Sequence, residues 1–78
     1  MEKEIVYVNI DKFYSKKRNQ TFYQVHYIAN KKCIIEFISE ELYNTLNILK
    51  LEYLSKCIGI FDLNSSNRTI QLVNIKIK

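Results

Sequence analysis

The order of patterned segments along this chain constrains its fold more than any other feature of the sequence. Three runs with the two-residue alternation of β-strands come first, one run with the 3.6-residue period of an α-helix follows, and two strand-like runs complete the order. The predicted strands are 5–14, 21–29, 32–38, 57–63 and 69–77, and the predicted helix is 39–53. A chain of 78 residues has room for one domain and no second one.

A β-β-β-α-β-β order in a short chain fits the OB-fold, a five-stranded Greek-key barrel with one helix between its third and fourth strands. We therefore predict a mainly β protein in which residues 1–78 form a single OB-fold domain. An SH3-like barrel is a weaker alternative, which keeps the basic loop and places the helix differently. Because one fold hosts many functions, function has to be argued from the side chains.

Alternation within the first two strands predicts which side chains are buried. The predicted core face of the first strand is aliphatic and consists of Val6, Val8 and Ile10. Its other face mixes aromatic and polar groups, as a solvent- or ligand-facing surface does, and consists of Ile5, Tyr7, Asn9, Asp11 and Phe13. In the second strand the predicted core face consists of Tyr23, Val25, Tyr27 and Ala29.

The predicted helix carries a start signal and an apolar stripe. Ser39 is a good N-cap, and Glu40 and Glu41 in the first turn complement the helix dipole. The stripe, which we expect to close the bottom of the barrel, consists of Leu42, Leu46, Leu49 and Tyr53.

Several single residues mark turns and irregularities. Asn30 and Lys31 are predicted to form a tight turn, since Asn tolerates positive φ. Gly59, the single glycine, indicates a bulge or a close backbone approach in the fourth strand. The adjacent apolar residues Leu72 and Val73 indicate a slip in the alternation of the fifth strand.

Charge is distributed unevenly along the chain, whose net charge is +4. The predicted helix carries three glutamates and one lysine, whereas the remaining segments hold 11 of the 12 basic residues and five of the eight acidic ones. A basic sheet set apart from an acidic helix favours a polyanionic partner.

The predicted binding surface lies across strands 2 and 3, between the 1–2 loop and the 4–5 loop at 64–68. The predicted phosphate-binding cations are Lys12, Lys16, Lys17, Arg18, Lys32 and Arg68. The side chains predicted to stack on or contact bases are Tyr7, Phe13, Phe22, Gln24 and His26. Aromatic rings stack on bases with little sequence preference, and phosphate contacts make affinity fall with salt.

Catalytic and metal-binding motifs are not found in the sequence. It contains no Gly-rich phosphate loop, no paired-carboxylate motif and no Cys/His cluster, so we predict a non-enzymatic protein without metal or cofactor. Cys33 and Cys57 lie in apolar runs and are predicted to be buried free thiols. No signal peptide or membrane span is visible, and we expect a cytoplasmic protein.

The basic loop 16–18, the aromatic pair Phe22-Tyr23 and the closing run 70–75 resemble small OB-fold single-stranded-DNA-binding proteins of phages and plasmids, including the filamentous-phage gene V type. This resemblance implies cooperative, sequence-tolerant coating of single-stranded DNA during DNA replication, by a homodimer. The sequence leaves DNA and RNA undistinguished. The alternative is a small phage- or plasmid-encoded protein-interaction module, such as an inhibitor of a host enzyme, that uses the same exposed aromatics.

Overall fold

The computed structural model describes residues 1–66 and 68–78, and it contains the predicted order of strands and helix. The elements are β1 (Glu2–Ser15), β2 (Gln20–Ala29), β3 (Lys32–Ile38), α1 (Glu40–Leu49), β4 (Lys56–Asn64) and β5 (Thr69–Ile77). The prediction of a mainly β protein with one helix between the third and fourth strands is confirmed.

The five strands form one antiparallel sheet in the order β3-β2-β1-β4-β5. β1 lies at its centre, pairing with β4 through its first residues and with β2 through the remainder. Among the described residues β3 and β5 share no backbone ladder, so the predicted closure into a barrel is wrong at this position. The two edge strands are joined instead by Glu36 of β3, whose Oε2 accepts a hydrogen bond of 2.6 Å from the backbone N–H of Leu72 in β5.

The core lies between the helix and one face of this sheet. Leu42 and Leu46 of α1 are buried there, and the helix contacts β1, β2 and β5. The other buried hydrophobic residues are Ile5, Tyr7, Val25, Tyr27, Ala29, Cys57, Leu72 and Ile75. The core face predicted for β2 is confirmed, with Tyr23 half-buried at its end.

The core face predicted for β1 is wrong in its first half because of a β-bulge. Tyr7 pairs with Tyr27 and Asn9 with His26, so Val8 is an extra residue without a partner. A one-residue insertion reverses the side to which the flanking residues point. The buried residues before the bulge are therefore Ile5 and Tyr7, whereas Val6 and Val8 are half-buried and Ile10 packs against the core as predicted.

The helix begins where the sequence predicts. Ser39 is its N-cap, and the Ser39 Oγ accepts a hydrogen bond of 3.0 Å from the backbone N–H of Leu42. Leu42 and Leu46 confirm the first half of the predicted stripe. Leu49 is 37% exposed and Tyr53 is 71% exposed, so the second half is wrong.

The helix ends four residues before the predicted end, and the chain that follows it forms hydrogen bonds with β1. Lys50 takes the left-handed conformation (φ 50°, ψ 54°) and donates its N–H to the Leu46 carbonyl. The chain then turns so that the Leu54 N–H donates to the Tyr7 carbonyl at 2.7 Å, and the Tyr7 N–H donates to the Ser55 carbonyl at 2.9 Å. These bonds to β1 precede β4, and they leave Tyr53 in an exposed turn.

The turn and slip predictions are confirmed. Asn30 and Lys31 both have positive φ, 52° and 63°, as a two-residue hairpin turn requires. Ile60 of β4 pairs with Asn74 of β5, and Phe61 pairs with Leu72, so Val73 is the extra residue of a second bulge.

The prediction that both cysteines are buried is half right, because Cys57 is buried and Cys33 is exposed.

Candidate nucleic-acid interface

Three phenylalanines form a continuous aromatic surface on the face of the sheet that points away from the helix. Phe13 of β1 pairs with Phe22 of β2, and their ring centroids lie 5.6 Å apart in a stacked arrangement. Phe22 and Phe37 of β3 lie 5.8 Å apart, with tilted rings. Phe13 is 45% exposed and Phe37 is 60% exposed, so this phenylalanine surface (Phe13, Phe22 and Phe37) presents rings to solvent.

The β1–β2 loop beside this surface has a defined conformation. The Asn19 N–H donates to the Lys16 carbonyl at 3.3 Å, and the Arg18 N–H donates to Ser15 Oγ at the same distance. Asn19 has a φ of 50°, and its side-chain oxygen accepts a hydrogen bond from the Tyr14 hydroxyl. The turn leaves the side chains of residues 16–18 exposed.

Arg18 and the phenylalanine surface share one groove. This groove has a volume of about 350 Å³ and is lined by Phe13, Ser15, Arg18, Phe22 and Phe37. The cationic loop and the aromatic face predicted from the sequence therefore meet on one side of the molecule. Phosphate and base of one nucleotide can be contacted together at such a place.

A second, larger groove lies on the other side of Phe22 and Phe37. Its volume is about 490 Å³. The residues that line it are Gln20, Thr21, Phe22, Tyr23, Phe37, Ile38, Ser39 and Glu40. Phe22 and Phe37 thus form a wall common to both grooves.

Two polar residues on the same face, His26 and Asp11, contact each other. His26 Nε2 lies 3.1 Å from Asp11 Oδ2, and Gln24 pairs across the strands with Asp11. The His26 side chain is 21% exposed. This contact holds the imidazole beside Asp11 and limits how far its ring is free to stack on a base.

Two predicted site residues lie on the opposite face. Tyr7 is 5% exposed in the core, and burial raises the pKa of its hydroxyl. Lys12 pairs with Tyr23, which places it on the helix side, and its Nζ lies 5.8 Å from the centroid of the Tyr43 ring. The expectation that Tyr7 is exposed toward a ligand is therefore wrong, and Lys12 is turned away from the phenylalanine surface.

Two further predicted cations lie away from the β1–β2 loop. Lys32 begins β3, at the far end of the ten-residue β2, about 30 Å along the strand from the loop. Arg68 follows the end of β4, and β4 runs antiparallel to β1 and ends beyond the first residues of β1. Arg68 therefore lies near the start of β1, whereas Arg18 follows its end, so the length of β1 separates the two arginines. Asn67 of the same predicted loop lies outside the described residues.

Phe37 is the site residue that the sequence argument did not assign. Its partner across the strands is Gln24, so it lies on the same face as Phe22. The signal was available, because a two-residue turn at Asn30 and Lys31 fixes the register of β2 against β3.

Lysines of β5 and the C-terminus on this face are paired with glutamates. Lys76 Nζ lies 3.2 Å from Glu2 Oε2, and Lys78 contacts the Glu4 carboxylate. The hydrogen bond and charge of Lys78 lower the pKa of Glu4. Arg18 is thus the cation that lines the groove at the phenylalanine surface, whereas the charges of Lys76 and Lys78 are compensated by glutamates.

Among residues 1–66 and 68–78, no cluster of three or more His, Cys, Asp or Glu side chains has the arrangement of a metal site. None of the helical residues described forms a segment long and apolar enough to span a membrane. Protein-family models, curated proteins and solved structures were compared with the chain, and none of them matches it.

Proposed function

We propose that this protein is a non-enzymatic, sequence-tolerant single-stranded-DNA-binding protein of a phage or plasmid. The observation that carries the proposal is the groove in which Arg18 meets Phe13, Phe22 and Phe37. Stacking of a base on an aromatic side chain contributes about 1–3 kcal/mol and tolerates any base, because every base has a π-face. Paired bases of a duplex keep their faces stacked inside the helix, so the surface favours single strands.

We also propose that the sheet is a partly open variant of the OB-fold. Opening an OB barrel between its third and fifth strands leaves the order β3-β2-β1-β4-β5, with the helix between the third and fourth strands. The Glu36 contact to Leu72 spans the same gap here. In OB-folds, ligands bind across strands 2 and 3 beside the 1–2 loop, which is where the phenylalanine surface and Arg18 lie.

The test is fluorescence anisotropy with labelled oligo-dT, a matching duplex and a matching RNA, at about 50 and 200 mM salt. We expect micromolar or tighter binding to oligo-dT and weak binding to the duplex. If the loop cations Lys16, Lys17 and Arg18 each contact one phosphate, the slope of log affinity against log salt concentration should be about −2. The RNA arm reports whether the site distinguishes the two sugars.

Charge reversal identifies the site. The double variant K16E/K17E should abolish oligonucleotide binding, since it removes loop cations beside the groove and places two anions there. The control K31E/K56E makes the same change in net charge away from that loop, and it should bind as the unaltered protein does. Equal losses in both variants would show that net charge, and not this site, determines binding.

A protein partner is the second candidate function, and the edge position of β3 favours it. Ile35 and Phe37 are 58% and 60% exposed on an edge strand, a combination that suits docking to another protein. A discrete partner captured from a host lysate, together with no oligonucleotide binding at low salt, would support the inhibitor function and overturn the first proposal.

A further inference from the structure

The two grooves beside the phenylalanine surface differ in charge. Among the described residues that line the two grooves, Arg18 is the one charged residue of the smaller groove and Glu40 that of the larger. Both use the same wall of Phe22 and Phe37. The wall therefore has a cation on one of its sides and a carboxylate on the other.

A single strand has chemistry that matches this arrangement. Its phosphates are anionic and are attracted to Arg18 but repelled by Glu40. Its base edges are neutral and differ in their donors and acceptors. We therefore expect the backbone to follow the Arg18 side of the wall, with a base edge turned toward Glu40.

Glu40 is held in place by its surroundings. It is the first residue of α1, directly after the Ser39 cap, where the helix dipole stabilises a negative charge. Tyr23 and Glu40 both line the larger groove, and loss of hydration together with the nearby Glu40 carboxylate raises the pKa of the Tyr23 hydroxyl. An ionised carboxylate accepts hydrogen bonds and donates none, so it favours a base edge that carries a donor.

We propose that Glu40 gives this protein a preference for bases with an exocyclic amino group, namely cytosine, adenine and guanine, over thymine and uracil. This inference rests on the proposed function. Cytosine presents an N4 amino donor, which acidic side chains accept, whereas the N3–H donor of uracil and thymine lies between the O2 and O4 acceptors. An acceptor facing a carboxylate is repelled, so the same residue that attracts cytosine disfavours thymine.

The test compares oligo-dC with oligo-dU of about 12 nucleotides, a length within the site sizes of OB-folds. These pyrimidines have similar stacking faces and differ at the base edge, which isolates the hydrogen-bonding contribution. Measured by anisotropy above neutral pH, oligo-dC should bind about fivefold more tightly, the lower end of the range for a specific base contact because Glu40 is exposed.

Two matched variants assign the preference to its residue. In E40Q the ratio of the two affinities should fall to about one, because the Gln amide donates as well as accepts. E41Q removes the same charge from the neighbouring residue, which lines a different groove with Thr45 and Asn74. It should keep the full ratio, and circular dichroism should show both variants folded.

The outcomes separate the two proposals. If neither oligonucleotide binds, the proposed function fails. If both bind equally to the unaltered protein, single-strand binding stands and the role of Glu40 is wrong. If E41Q loses the preference as fully as E40Q, the effect belongs to the charge of the helix N-terminus, and the assignment to the larger groove is overturned.

Discussion

The core has little room for a side chain at Gly59. A Cβ atom added there would lie 2.9 Å from Phe61 Cε2, 3.0 Å from Leu72 Cδ1 and 3.1 Å from Ile5 Cδ1. These distances are shorter than ordinary contacts between carbon atoms, so even one methyl group forces its neighbours to move. Gly59→Ala should lower the free energy of unfolding by about 1–3 kcal/mol, as urea denaturation measures.

Ile5→Val provides the control for Gly59→Ala. It deletes the Ile5 Cδ1 that the added methyl group would meet, and it should cost about 0.5–1.5 kcal/mol alone. The double variant should lose less stability than the two single variants summed, because the deletion makes room for the insertion. Strict additivity would show that the strain at Gly59 comes from another neighbour.

Val8 shows why residue-level prediction failed in β1. The alternation of Val6, Val8 and Ile10 is regular in the sequence, but the unpaired Val8 reverses which side its neighbours face. Tyr7 therefore enters the core. The bulge accompanies backbone bonds from Tyr7 to Leu54 and Ser55, a contact about 50 residues away along the chain that local alternation does not encode.

At the scale of elements, Glu36 is the side-chain link that joins the two edges of the sheet. Its Oε2 accepts from the Leu72 N–H at 2.6 Å, and its Oε1 accepts from the Tyr27 hydroxyl at 2.9 Å. Unpaired edges are templates for pairing between molecules, and here the two edges of one sheet lie close enough to be bridged. Glu36 thus stabilises the curled sheet by linking its two edge strands.

Glu36→Ala should separate these edges. It leaves the Leu72 N–H and the Tyr27 hydroxyl without their acceptor, and hydrogen bonds to charged groups contribute about 1.5–3 kcal/mol each. We expect a loss of about 2–4 kcal/mol in the free energy of unfolding, by urea denaturation. We also expect self-association by sedimentation velocity, since the freed edges can pair between copies.

Glu36→Gln is the matched control. The Gln carbonyl can accept from the Leu72 N–H while its amide donates to the Tyr27 oxygen, so the bridge persists in altered form. This variant should lose less than half as much stability as Glu36→Ala, and sedimentation velocity should show no self-association. A Gln variant as unstable as the Ala variant would mean that the carboxylate charge, and not the bridge, is needed.

Elements were more predictable than their assembly. Every strand and the helix start followed from alternation and from the Ser39 cap, because those signals are local. The place where Arg18 meets Phe22 also followed, since a hairpin keeps its loop beside its own strands. The open edge between β3 and β5 did not, because it depends on contacts between segments far apart in the chain.

At the scale of the whole molecule, the core determines how stability depends on pH. Burial raises the pKa of the hydroxyls of Tyr7 and Tyr27 and of the Cys57 thiol, and the Glu36 carboxylate raises the pKa of Tyr27 further. All three groups lose a proton to become anions that the core solvates poorly. Their ordinary values are 10.0 for tyrosine and 9.0 for cysteine.

Stability should therefore be lost on the alkaline side. Below about pH 9 the folded and the unfolded protein both keep these three protons, so the groups contribute fully to stability. Above about pH 9 the unfolded chain releases the protons before the folded protein does. The free energy of unfolding then falls by up to about 1.4 kcal/mol per pH unit for each group. Urea denaturation from about pH 8 to about pH 11 should show this decline.

Cys57→Ala removes the group with which the decline begins, so the free energy of unfolding should fall less steeply near pH 9. Cys33→Ala changes an exposed position and should leave the dependence of the free energy of unfolding on pH unaltered. A decline that starts at the same pH in all three proteins would mean that Cys57 does not contribute, and that the tyrosines or the exposed charges set the alkaline limit.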